Sequence, residues 1–275
     1  MKDDEDRIEE EDPKHHHLEH HQRVSEKLFR LTLLIYVFSI LPPVVGYIGE
    51  RHRTELVGYM RMVDFLDLVL LAPFFLAMVL LFQRRVFEHE QTQGSSVAYW
   101  ATLVLGVVFL YGQAMHLTAN AINTFSTEIR DYRAVLPADT YALIFFLDEN
   151  LGHWLMCLGL FGVIGMWAAH CPLFLPGHRC FTALPGLVSG VGSALAIIES
   201  SHPWIAPLGA LYLFLCCCFW AQKRGLSICD AWPGNPLIEY CLSNAAATIL
   251  TMGLYFWYFG SFVEPSVLTG AAIHS

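Results

Sequence analysis

Seven long apolar runs constrain this chain more than any other feature of it. They lie near 29–48, 64–82, 97–122, 139–168, 180–199, 204–221 and 236–262, separated by short polar or Pro/Gly-rich breaks. A bilayer core takes about 20 such residues per helix, and a backbone inside it must satisfy its own hydrogen bonds. Each run therefore reads as a membrane-crossing α-helix. Of the 275 residues, 55% are hydrophobic and only 15% charged, which does not fit an ordinary soluble domain. The expected fold is all-α, a polytopic seven-helix membrane domain over 28–263 followed by a short C-terminal tail over 264–275.

Residues 1–27 are compositionally separate, with ten acidic and five basic residues and no apolar run. They read as a disordered acidic, His-rich tail and carry no signal-peptide pattern. The His tract (His15, His16, His17, His20, His21) has no fixed spacing that would define a metal geometry. With seven spans, the N-terminus and the loops after the second, fourth and sixth helices share one side and carry eleven Lys/Arg, against five on the other. Basic residues favour the cytoplasmic side, so the N-terminus is expected inside.

Proline and small residues mark particular runs. Pro42-Pro43 in the first and Pro185 in the fifth predict kinks, because a membrane helix can tolerate the lost hydrogen bond. Gly186-x-x-x-Gly190 in the fifth offers a face that a second helix can approach closely. The eight cysteines show no disulfide framework, and most sit in apolar segments where a thiol packs as a small hydrophobe. The chain has no glycine-rich phosphate loop, nucleophile elbow or basic patch, so a nucleic-acid partner is not expected.

The chemistry lies in polar residues at membrane depth, where an ionisable group costs roughly 2.5–3.5 kcal/mol on insertion scales. The third run ends YGQAMHLTANAINTF, and helical spacing puts Gln113, His116, Asn120 and Asn123 on one stripe. The fourth run contains FFLDENLGHW. Glu149 and His153 are four apart and share a face, with Asp148 turned about 100° away. The second run opens with Asp64-x-x-Asp67, and the fifth ends IIESSHPW with Glu199, Ser201 and His202. By odd-even alternation all of these reach the extracytoplasmic half.

His116, His153 and His202, with Glu149 as a further ligand or orienting partner, supply what a zinc site needs. Asp148 is the candidate general base, and Asn120 or Ser201 a candidate hydrogen-bond donor to a developing oxyanion. The expected function is metal-dependent hydrolysis of a lipid amide or ester, with membrane lipids as partners. The same residues also suit a proton- or ion-coupled transporter, a haem held by His116 and His153, or a scaffold or receptor whose polar cluster only holds itself together. The loop HCPLFLPGHRC brings His170, Cys171, His178 and Cys180 together in sequence, but with turn-like rather than zinc-knuckle spacing.

The helix count and ligand types, carried by QAMHLTAN, DENLGH and ESSH, resemble the superfamily of seven-helix membrane hydrolases that includes alkaline ceramidases and the progestin and adipoQ receptors. That resemblance implies a zinc held by three His, an Asp and a Ser near the activated water, and a lipid amide substrate. The family places two of its His as H-x-x-x-H on the last helix, whereas PLIEYCLSNAAATILTMGLYFWYFGSF contains none.

Overall fold

The computed structural model describes residues 13–52, 55–58, 60–87, 93–126, 137–171, 182–200, 202–231 and 235–263. Over these it is almost wholly helical. Helix α1 (Pro13–Arg51) leads through a two-stranded hairpin, β1 (Leu56–Val57) and β2 (Met60–Arg61), into α2 (Met62–Leu66). A π-helical turn, π1 (Asp67–Leu71), joins α2 to α3 (Ala72–Phe87), and α4 (Gln93–Thr124) follows. The next helical stretch has the same construction: α5 (Ala138–Phe145), a second π turn, π2 (Phe146–Gly152), then α6 (His153–His170). The chain ends with α7 (Ala183–Glu199), α8 (Ile205–Lys223), the short α9 (Ile228–Ala231) and α10 (Pro236–Phe259).

Each of the seven apolar runs coincides with a helix, and six of the helices are long and apolar enough to cross a membrane. The shorter apolar helix is α7, the fifth run. Large apolar side chains face outward on these helices, such as Leu76 and Leu80 on α3, Leu211 and Leu215 on α8, and Leu250 and Leu254 on α10. An apolar exterior of this extent suits an integral membrane protein, whose solvent is lipid. Helix α1 already runs from Pro13, so helix extends into the segment 1–27 read as a separate tail. Proline is well tolerated at a helix start, where its missing N–H would have no partner anyway. Pro42 and Pro43 lie inside α1, whereas Pro185 falls in the first turn of α7, where the lost N–H requires no kink.

Lipid is as apolar as leucine, so burial alone cannot drive these helices together; close packing must. Glycine supplies it. A Cβ on Gly112 of α4 would stand 2.6 Å from the Gly152 carbonyl oxygen and the Met156 nitrogen, and one on Gly159 of α6 would stand 2.5 Å from the Phe109 nitrogen. Helices α4 and α6 therefore meet backbone to backbone. Gly186 and Gly190 of α7 do the same against α10, closing on the Tyr240 and Asn244 carbonyl oxygens.

Helix α10 is the most enclosed span, 67% of it buried. Its start is fixed by Asn235, whose side chain accepts from the Leu237 and Ile238 N–H groups, with Pro236 next in line. Gly260 ends it at φ 70°. The buried Glu239 carboxylate accepts from the Thr182 N–H at 2.8 Å and its hydroxyl at 2.7 Å, tying α10 to the entrance of α7. Aromatic packing fills the interior away from the polar cluster. Phe82 of α3 stacks on Trp167 of α6 at 4.3 Å, with Phe38 of α1 edge-on to both.

Candidate functional site

The polar residues of four chain segments converge where α4 crosses π2. The glycine contact at Gly112 and Gly152 sets this crossing, and a Cβ on Gly152 would stand 3.3 Å from the His116 nitrogen. His116 therefore sits directly over π2. Its Nδ1–H donates to Asp148 Oδ1 at 2.5 Å, and Asp148 is only 7% exposed. On the other edge of the ring, the Asn120 amide donates to His116 Nε2 at 3.2 Å and to Asp64 Oδ1 at 3.1 Å. Asp64 is likewise buried, at 5% exposure, and is delivered by α2. The close fit of Gly49 of α1 against Val63 helps to hold that end of α2 in place.

The result is a continuous hydrogen-bonded chain, Asp148–His116–Asn120–Asp64, linking π2, α4 and α2. Asp67, the first residue of π1, and the buried Gln113 of α4 lie beside it. His153 joins from the first turn of α6, its ring centroid 4.8 Å from that of His116. Its Nδ1 is 3.2 Å from the Glu149 carbonyl oxygen, to which it donates, and 3.5 Å from the Glu149 carboxylate.

His202 stands at the edge of this group. Its Nδ1–H donates to the Ser200 carbonyl oxygen at 2.6 Å, and its ring packs edge-on against Trp154 at 5.5 Å and Trp204 at 6.3 Å. It remains close enough to His153 for the two imidazoles to interact electrostatically. The Ser201 and Glu199 side chains lie outside the described residues.

Helical spacing puts Glu149 with His153 and turns Asp148 away, yet Asp148 is the acid that meets His116. Asp148 and Gly152 are the buried residues of π2, and Gly152 packs on Gly112 and the His116 backbone, so both stand on the side of π2 turned toward α4. Asn120, expected as an oxyanion donor, spends its amide N–H groups on Asp64 and His116 and acts as a bridge. Asp64 is the partner that was not assigned a role from sequence. Its signal was the Asp64-x-x-Asp67 pair opening the second run, but which helix face it served could not be read before the helices were placed.

His116, His153 and His202 share one property: each commits Nδ1 to an oxygen, while the Nε2 of His116 also accepts from the Asn120 amide. This is the support that metal-ligating histidines characteristically have. Among the described residues, however, no group of three or more His, Cys, Asp or Glu is gathered in metal-holding geometry. At the other membrane face, His178 and Cys180 lie outside the described residues, while His170 packs on Phe87 and the buried Cys171 takes a hydrogen bond from Asn235. Burial pushes the Cys171 thiol up, away from the thiolate a metal would need. In comparisons with known proteins, no family, curated protein or solved structure matches this chain.

Proposed function

We propose that this is a seven-span membrane hydrolase of lipid amides or esters, N-terminus inside, with a zinc-dependent site in the extracytoplasmic half. The observation that supports the reading is the shared Nδ1 engagement of His116, His153 and His202, which fixes three ring orientations; ligation through His116 Nε2 would require the Asn120 amide to give up its hydrogen bond to that nitrogen. Those three would hold the metal, with Glu149 beside His153 as a further ligand or orienting group. Zinc in such a site supplies Lewis acidity and a water that ionises near neutral pH.

The chain's own residues do the rest. Asp148 fixes the His116 tautomer and ring orientation, a role its hydrogen bond suits better than that of a free base. Asn120 couples His116 to Asp64, so a proton arriving at one end of the chain is felt at the other. Protein purified gently without chelators is expected to carry about one equivalent of transition metal, lost in His116→Ala and His153→Ala. A metal-free wild type would overturn the proposal. Membership of the ceramidase and adipoQ-receptor superfamily is part of the same proposal and stands on helix number and ligand type.

One observation favours a second reading, a proton- or ion-coupled transporter: Asp64, His116 and Asp148 are gathered from separate segments at membrane depth. Proteoliposomes would then show a flux whose pH dependence changes in Glu149→Gln and Asp64→Asn. An absence of flux in metal-loaded wild type rejects it.

A further inference from the structure

Beside the polar cluster lies a crevice of about 620 Å³ between the β2–π1 segment and α4. Met60 and Leu68 form one wall; Ala114, Leu117, Thr118 and Ala121 form much of the other, with Ile122 and Phe125 toward its end. We propose that this crevice seats one acyl chain of a bilayer lipid, lying along α4 beside the Asp64–Asn120–His116 chain. As a statement about substrate it rests on the hydrolase reading; as a statement about binding it does not.

The size fits a ligand, since small-molecule sites occupy about 300–1,000 Å³. The length fits a single leaflet. From Ala114 to Phe125 a helix advances about 16 Å, and one leaflet contributes half of a hydrocarbon core about 30 Å thick. The crevice also follows the C-terminal half of the span Ser96–Thr124, so it begins near mid-membrane and ends near one face.

Its chemistry is that of a hydrocarbon site. Thr118, its hydroxyl-bearing wall residue, donates that hydroxyl to the Ala114 carbonyl oxygen at 2.7 Å and so presents little unmet polarity. Ala114, Thr118 and Ala121 are small, and their stripe on α4 makes the depression. The crevice is continuous with the polar cluster in sequence on both walls. Leu68 directly follows Asp67, and Leu117 lies one helical turn from both Gln113 and Asn120. A chain seated here would bring its headgroup linkage toward Met60 and the Asp64–Asn120 end.

The test uses the full chain in phosphatidylcholine vesicles, with one acyl chain carrying a photoactivatable diazirine, and maps the labelled peptides. Labelling of 60–68 and 114–125 is expected to exceed that of the outward-facing α8 segment 208–215 severalfold. Ala121→Trp is expected to reduce it to the α8 level, whereas Thr118→Val, which keeps the shape, leaves it unchanged. Equal labelling of the crevice and α8 in wild type overturns the proposal, whether or not the Trp variant folds. Unchanged labelling in a folded Ala121→Trp overturns it as well. Enriched labelling on a metal-free protein keeps the acyl seat and rejects the hydrolase; uniform labelling on a metal-loaded protein does the reverse.

Discussion

At the scale of single residues, the His116–Asp148 bond tests whether the cluster is held as described. Asp148→Asn keeps an oxygen acceptor for the His116 N–H, whereas Asp148→Leu leaves that buried donor unmet, at a cost of about 1–3 kcal/mol. In detergent, thermal unfolding is therefore expected to fall clearly further for the Leu variant than for the Asn variant. Equal losses would mean that the hydrogen bond carries no stability. A double-mutant cycle between His116→Ala and Asp148→Leu should return a coupling of about 0.6–1.7 kcal/mol, the range for hydrogen bonds between membrane helices. The residues of this network were legible to different degrees. Gln113, His116 and Asn120 follow from helical spacing on one helix, but the pairing of Asn120 with Asp64 depends on how α2 is rotated toward α4, which no local pattern encodes.

At the scale of elements, glycine decides which helices can touch. Gly159→Ala places a methyl group 2.5 Å from the Phe109 nitrogen, and Gly190→Ala crowds the Asn244 carbonyl oxygen in the same way, so each must push two backbones apart. Both variants are expected to lose thermal stability and, for Gly159→Ala, to disrupt the polar cluster that the α4–α6 contact assembles. Gly253→Ala is the contrasting case. Nothing lies within 4 Å of its added Cβ, and alanine favours helix by up to about 1 kcal/mol, so stability should hold or rise on the same melting assay. The Gly186-x-x-x-Gly190 face could be read from sequence because its spacing is a known packing pattern. The Gly112, Gly152 and Gly159 contact could not, because those glycines are spread over two helices with no repeat between them. The π turns left no compositional mark either, since a shift from i→i+4 to i→i+5 bonding needs no particular residue.

At the scale of the whole molecule, the number of crossings turns on α7. Its 17 residues rise about 26 Å, close to the hydrocarbon thickness, so a full crossing is geometrically accessible. If it crosses, and the N-terminus is inside as proposed, the exposed Cys229 between α8 and α10 lies on the cytoplasmic side. A membrane-impermeant maleimide should then label Cys229 in opened membranes and not in sealed, right-side-out vesicles; labelling of the sealed vesicles would reject the seven-span, N-inside arrangement. The helical architecture was legible because a bilayer demands long apolar segments, and that demand is written directly into composition. The site was legible only as a set of residue types at a shared depth. What joined them was the packing of α2, α4 and π2, and the π2 segment has a consequence for chain length. A π turn holds one residue more than an α-helix needs, so losing a single residue between Phe146 and Gly152 would let the segment close into ordinary α-helix. The helix and its hydrophobicity would survive, and the flanking segments would keep roughly their phase, because the wider turn absorbs the extra residue.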